Sequence, residues 1–287
     1  MTVRSAPEPV FSADFFRALE VLARRRHART RGTAAEPRAG SARMGFEHRA
    51  WQPGDDARRV DWRASARSPR VQVRRREEER GGELLLVLDR SASLCPQHAR
   101  RDLDQRRLAL AAGWLALEAG ASVRLVAGDR AVQAFGGFER RVALQRALEA
   151  LPAPAGADAR PAWDALGPAP GRRALACGDP WGGAGWWRAL AAAPAAGARE
   201  LAILVLPEED EPPATGLRVR DVETGATRTV ALGGAARGRF ARAWARHLEE
   251  LRAHAHDCGW RPAELRLPRA AAPAGAILRV AEEAGLV

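Results

Sequence analysis

Glu83-Leu84-Leu85-Leu86-Val87-Leu88-Asp89-Arg90-Ser91-Ala92-Ser93 is the stretch on which the fold turns. Leu84 to Leu88 is an unbroken apolar run, the pattern of a strand covered on both faces. It stops at Asp89, and small polar residues follow, so the chain turns there. Outward from this strand, apolar strands and amphipathic helices alternate. A helix is expected from about Gln105 to Glu118, then a strand over Ser122–Ala127 with Val132–Phe135 pairing beside it, and a helix over Arg141–Leu151. A buried strand over Ala174–Cys177, a helix over Trp186–Ala193 and a fourth buried strand over Leu201–Leu206 come next. This alternation predicts an α/β fold with a mainly parallel sheet and helices on both faces. Leu217–Val230 reads as a hairpin turning near Glu223-Thr224-Gly225, and a helix from Arg239 to Asp257 closes the core.

Before the core strand, Phe11, Phe15, Leu19 and Leu22 recur at helical spacing within Phe11–Arg29, with Ser12 or Asp14 available as a cap. Thr30–Ala42 is small, polar and Gly/Pro-containing, the composition of a loop. Gly45–Arg80 has little periodicity, and only Arg70-Val71-Gln72-Val73 alternates like a strand. The expected organisation is an N-terminal helix and loop (1–42), an extended block (43–82), the α/β core (83–262) and a C-terminal tail (263–287).

Composition narrows the function. The net charge of +11 invites a nucleic-acid reading, because clustered cations release counterions from phosphates. However, arginine supplies all of the Lys and Arg charge, and lysine, tyrosine and asparagine are absent, a coding skew rather than a binding signature. The runs Arg24-Arg25-Arg26 and Arg74-Arg75-Arg76 lack interleaved aromatics for base stacking, and the second leads into Glu77-Glu78-Glu79. No nucleic-acid partner is expected. Three scattered cysteines (Cys95, Cys177, Cys258) make neither a disulfide framework nor a paired zinc motif. No apolar run is long enough to span a bilayer and no secretory signal opens the chain, so a cytoplasmic location without membrane insertion is expected.

Asp89, Ser91 and Ser93 form an Asp-x-Ser-x-Ser loop at a strand end, and Asp179 closes another predicted strand. Ligands in such sheets bind beyond the carboxyl ends of the strands. One carboxylate and two hydroxyls are hard oxygens suited to Mg²⁺, with Asp179 adding a second carboxylate directly or through water. The competing reading is an Asp and Ser pair capping the next helix. Catalytic signatures are missing: no phosphate-binding loop is possible without lysine, and no Gly-x-Ser-x-Gly elbow occurs. His254, His256 and Cys258 follow at steps of two, and i and i+2 residues on a helix point to different faces, so a converging metal cluster is not expected. No catalytic residue is assigned, and a non-enzymatic role is expected. A Mg²⁺-dependent phosphoesterase at Asp89 and Asp179, or nucleic-acid binding through the arginines, are the alternatives.

Arg49, Trp51, Gly54, Asp55, Asp56, Arg58, Asp61, Trp62 and Arg67 form the densest constellation. It reads either as a structural ion network, with the two Trp packed on the core and arginines pairing Asp55 and Asp56, or as a binding face. This stretch resembles the hallmark of the bacterial family called domain of unknown function 58, Arg-x-Tyr-x-x-Gly-Asp-Asp-x-Arg-x-Ile-Asp-Trp-x-x-x-Ala-Arg, with Trp51 for Tyr and Val60 for Ile. The loop at Asp89, the pair Gly178-Asp179 and Asp221-Val222-Glu223-Thr224-Gly225 extend the likeness over about Gly45 to Asp257. The resemblance implies a von Willebrand factor A-like fold without known catalysis. It further implies a metal-dependent adhesion site at Asp89, Ser91, Ser93 and Asp179, and a MoxR-type AAA+ ATPase partner in the assembly or maturation of other proteins. The site is partial: Ala157 stands where the family pattern expects Thr, and Leu206 where an acidic residue is usual. Weak or absent Mg²⁺ binding is the corresponding expectation.

Overall fold

In the computed structural model, β3 (Gly81–Leu88) lies at the centre of a six-stranded sheet. The structure describes residues 9–32, 46–50, 60–76, 81–94, 99–128, 132–136, 140–154, 166, 172–181, 184–193, 197–209, 217–221, 225–230, 234–269 and 272–287. The chain divides into two units, one of Met1–Arg24 with Gly82–Val287 and the other of Arg25–Gly81.

In the larger unit, β6 (Arg173–Gly178) runs parallel to β3, β7 (Arg199–Val205) parallel to β6, and β10 (Arg261–Arg266) parallel to β7. On the other side of β3 lies β4 (Ala121–Ala127), and β5 (Gln133–Phe135) pairs with it antiparallel at the edge. Counted in chain order within the sheet, the strands run 3-2-1-4-5-6, the doubly wound order. The order reverses at β3, so its carboxyl end opens the crevice where ligands bind in such sheets.

The apolar run of β3 works as its sequence implies. Leu84, Leu86 and Leu88 join one core cluster, with side chains from α1 (Ala13–Gly32), α3 (Ala99–Glu118), α4 (Arg141–Glu149) and α7 (Ala276–Glu283). Leu85 and Val87 join a second cluster with α5 (Ala184–Ala191) and α6 (Gly234–Asp257). Leu85, Leu86, Val87 and Leu88 are all 0% exposed. Each contributes roughly 1.5–3 kcal/mol of burial. The expected mainly parallel sheet with helices on both faces, of the Rossmann-like, von Willebrand factor A type, is what these residues build. A hairpin of β8 (Leu217–Arg220) and β9 (Thr227–Val230) forms where expected, with Gly225 at φ +73° in its turn.

Two elements depart from the sequence reading. Residues 263–287 are not a tail in physical terms, because β10 completes the sheet and α7 buries Ile277, Leu278 and Ala281 to 2% exposure or less. Arg261-Pro262-Ala263-Glu264-Leu265-Arg266 hides as a strand because it lies on an edge, where Pro262 and charged side chains are tolerated. Helix α3 starts six residues earlier than its apolar periodicity indicates, since its first turns are polar yet buried.

In the smaller unit, β1 (Phe46–Ala50) pairs antiparallel with β2 (Gln72–Arg76), and α2 (Trp62–Ser65) lies between them in sequence. Asp61 caps α2 by accepting the Arg63 N–H at 3.0 Å. Its own N–H donates to the Gln72 carbonyl at 2.8 Å, and Gln72 donates its N–H to Ser65 Oγ at 2.8 Å, so α2 and β2 are tied together. Among the described residues no helix is long and apolar enough to cross a membrane.

Candidate functional site

The Asp89 N–H still donates to the Cys177 carbonyl at 2.9 Å, so β3 and β6 stay in register until the loop departs. Asp89 Oδ1 then accepts the Ser91 N–H at 2.9 Å, closing a tight turn, and residues 92–94 make one turn of 3-10 helix anchored by the fully buried Leu94. The turn brings Ser91 Oγ and Ser93 Oγ within 2.8 Å of each other. Side-chain hydrogen bonds link Asp89 to Ser91 and Ser93 to Asp179. All four residues expected to hold a metal are therefore joined in one chain of contacts, each 7% exposed or less. Asp89 Oδ2 is buried and accepts no hydrogen bond among the described residues. An unsatisfied buried acceptor costs about 1–3 kcal/mol, more when charged.

Burial is the largest cause, and the neighbouring Asp179 charge the second, of an Asp89 carboxyl pushed up to about 7. Bonds from Ser91 pull the other way. Burial also raises Asp179, opposed chiefly by Arg101.

The sequence reading missed the cationic half of the site. Arg101, 0% exposed, donates to Asp179 Oδ2 at 3.4 Å and to Glu209 Oε1. Glu209 reaches the site because residues 207–209 form a 3-10 turn after β7, in which Glu209 Oε2 accepts the Leu206 N–H at 2.9 Å. Leu206 itself is apolar and buried, so the acidic group near this strand end comes from Glu209. A second cluster centres on Asp102, which accepts from Arg90, from Gln105 at 2.9 Å and from Arg106 at 2.5 Å. Arg106 also donates to the carbonyls of Leu148 (2.8 Å) and Leu151 (3.0 Å) at the end of α4, and Gln105 to that of Asp89 at 3.1 Å. Arg90, the variable position of the Asp-x-Ser-x-Ser loop, is thus fixed to α3 and to the Pro152 carbonyl. The available signal was the i, i+4 spacing of Arg101 with Gln105 and of Asp102 with Arg106, one polar stripe on α3.

An aromatic rim borders this crevice. Trp181 donates its backbone N–H to Asp179 Oδ1 at 2.9 Å and its indole N–H to Glu209 Oε1 at 2.6 Å. Its ring stacks on Trp244 at 5.1 Å and on His247 at 5.3 Å, yet the residue is 47% exposed.

The donor set fits a hard divalent cation. Two carboxylates and two hydroxyls adjoin, one carboxylate oxygen lacks a partner among the described residues, and no thiol or imidazole is among the four. Among the described residues no group of three or more His, Cys, Asp or Glu side chains could hold a metal, so a cation here would rest on the two hydroxyls as well as the carboxylates. Ala157, where the resemblance expects Thr, lies outside the described residues.

The hallmark residues are only partly visible. Arg49 lies in β1 opposite Val73. Trp51, Gly54, Asp55, Asp56 and Arg58 lie outside the described residues. Asp61 is buried as the cap of α2, whereas Arg67 is exposed. Trp62, expected to pack on the core, is instead 70% exposed, because the first residue of the short α2 faces water.

Fold and site together define a doubly wound α/β protein with a carboxylate and hydroxyl crevice at the reversal of strand order. Residues 47–250 match the family described as "Protein of unknown function DUF58", and the chain belongs to it. It is 36% identical over 236 residues to the uncharacterized protein Rv1480 of Mycobacterium tuberculosis H37Rv, an alignment covering 78% of this chain and 74% of that one. The protein Mb1516 of Mycobacterium bovis matches to the same extent. Among solved structures, the conserved hypothetical protein BatB of Bacteroides thetaiotaomicron aligns at 14% identity with a TM-score of 0.35, over 71% of this chain and 99% of that one. An aerotolerance-related membrane protein of Bacteroides fragilis aligns at 14% identity with a TM-score of 0.32 over the same shares. Likenesses this distant carry no argument.

Proposed function

We propose that this chain is a non-catalytic adaptor whose Asp89–Ser91–Ser93–Asp179 crevice holds Mg²⁺ and receives a carboxylate from a protein partner. The family resemblance makes a MoxR-type AAA+ ATPase the first partner to test, with assembly or maturation of other proteins as the joint task. The observation that carries this reading is Asp89 Oδ2, a buried carboxylate oxygen without a partner among the described residues, beside two adjoining hydroxyls. Burial without compensation is costly, and a bound cation removes the cost. The exposed but rigidly stacked Trp181 supports the partner half, since aromatic anchors of this kind dominate interface energies.

The test is a pull-down from source-cell lysate with Mg²⁺ or with EDTA, beside Asp89→Ala and Trp181→Ala. A AAA+ ATPase recovered with Mg²⁺ and lost in EDTA and in both variants is the expected result. The same ATPase recovered under every condition removes the metal, and its absence throughout removes the partner. A Mg²⁺-dependent phosphoesterase at Asp89 and Asp179 is the second reading, favoured by two carboxylates and two hydroxyls adjoining in one strand-end crevice. Turnover of generic phosphoesters that stops in Asp89→Ala would select it.

A further inference from the structure

A cavity of about 150 Å³ opens between the first turns of α3 and the segment joining β10 to α7. Three guanidinium groups line it, Arg100, Arg107 and Arg269, against a single carboxylate, Asp104. We propose that this cavity is a binding site for a small dianionic oxyanion of the phosphate class, free or as a phosphoryl group, separate from the Asp89 crevice.

Only part of this charge is spent internally. Asp104, its side chain 5% exposed, accepts from Arg107 at 3.1 Å. Arg107 in turn spends its Nε on the Val10 carbonyl at 2.9 Å, tying the N-terminal segment to α3. That pair accounts for a purely structural role. Arg100 approaches Asp104 only at 3.8 Å, beyond hydrogen-bond range, and its side chain is 20% exposed. Arg269 is exposed, and its side chain makes no ion pair or hydrogen bond among the described residues. Two guanidinium forks therefore face one small cavity with donors to spare.

Size and lining point to the same ligand class. Pockets for drug-sized ligands run to about 300–1,000 Å³, whereas water occupies roughly 30 Å³. The cavity thus suits one oxyanion with a few waters. Leu103, Pro268, Pro273 and Ile277 complete its wall, and an apolar wall lowers the local dielectric and strengthens each charge contact. Planar guanidinium forks bind phosphate oxygens in pairs, which point charges cannot.

The experiment is calorimetric titration of the full-length chain with inorganic phosphate at fixed ionic strength. It compares wild type with Arg100→Gln, Arg269→Gln, the double variant and a control, Arg242→Gln, at an exposed position of α6. Thermal melts confirm that each variant stays folded, and the exposed Arg269 makes folding failure no obstacle there. Saturable one-site binding in wild type and control, weakened about tenfold in each single variant and lost in the double, is the expected result. Non-saturable heats, or binding that falls equally in Arg242→Gln, would overturn the site in favour of diffuse surface charge. Unchanged affinity in Arg100→Gln and Arg269→Gln would overturn it as well.

Discussion

Replacing Asp89 by Asn should stabilise the metal-free protein at alkaline pH. Burial and Asp179 push the Asp89 carboxyl from 3.8 up to about 7. A group whose folded value is raised contributes stability that is complete below its unfolded value and is lost as pH rises through the folded one. At about 1.4 kcal/mol per tenfold change in proton affinity, the ionised carboxylate costs the fold roughly 4 kcal/mol at pH 8. Asn keeps the acceptor for the Ser91 N–H, found at 2.9 Å, and carries no charge. Its amide donor needs an acceptor in place of the orphaned oxygen, which takes back about 1–3 kcal/mol. The net gain is then about 1–3 kcal/mol, a melting shift of a few degrees for a chain of this size. The assay is thermal melting in EDTA across pH 5 to 8. The variant should melt above wild type at pH 8, and the gap should close toward pH 5 as the wild-type carboxyl takes up its proton. Mg²⁺ should raise the wild-type melting point at pH 8 more than at pH 6, and leave the variant unmoved. An Asp89→Asn protein that melts at or below wild type at pH 8 in EDTA, or a gap independent of pH, refutes the reasoning.

Arg101→Met should cost about 3–5 kcal/mol in urea unfolding, because it strands the buried Asp179 and partly buried Glu209 carboxylates facing one another. Gly113→Ala should cost about 1–3 kcal/mol, since an added Cβ would lie 2.5 Å from Leu144 Cδ2 and 3.2 Å from Leu86 Cδ1. The loss should shrink in the double variant with Leu144→Val, which a double-mutant cycle measures. A thiol reagent applied to native protein should label Cys258 and leave Cys177 intact, because Cys177 is buried and its thiol is pushed up to about 12. Labelling of Cys177 at the rate of Cys258, read by peptide mass spectrometry, would contradict its burial.

The parallel core was legible because its determinants are local. Leu84–Leu88 and the run Leu201–Leu206 announce strands covered on both faces, and a helix fits between each pair. β10 was not legible, because an edge strand needs few apolar residues and only Leu265 is fully buried in it. β1 was missed for a related reason: Phe46-Glu47-His48-Arg49-Ala50 has no strand-like alternation, and its pairing with Gln72–Arg76 is a long-range fact.

The site divides along the same line. Asp89, Ser91 and Ser93 belong to one short loop, so spacing alone placed their oxygens together. Arg101 and Glu209 arrive from a helix and from a turn 108 residues away, and neither has meaning without the other. Their pairing changes what the loop can do. Arg101 already neutralises much of the charge at Asp179 and Glu209, whereas no cation among the described residues reaches Asp89 Oδ2 with a hydrogen bond. A divalent ion would therefore gain most from Asp89 and the two hydroxyls, and Asp179 would serve mainly to orient Ser93 and Trp181. That asymmetry would make proton and metal competitors for one oxygen. Under the proposed function, the atom that leaves the metal-free fold unsatisfied would be the one that couples it to Mg²⁺, and the pH dependence of the melting point would read both at once.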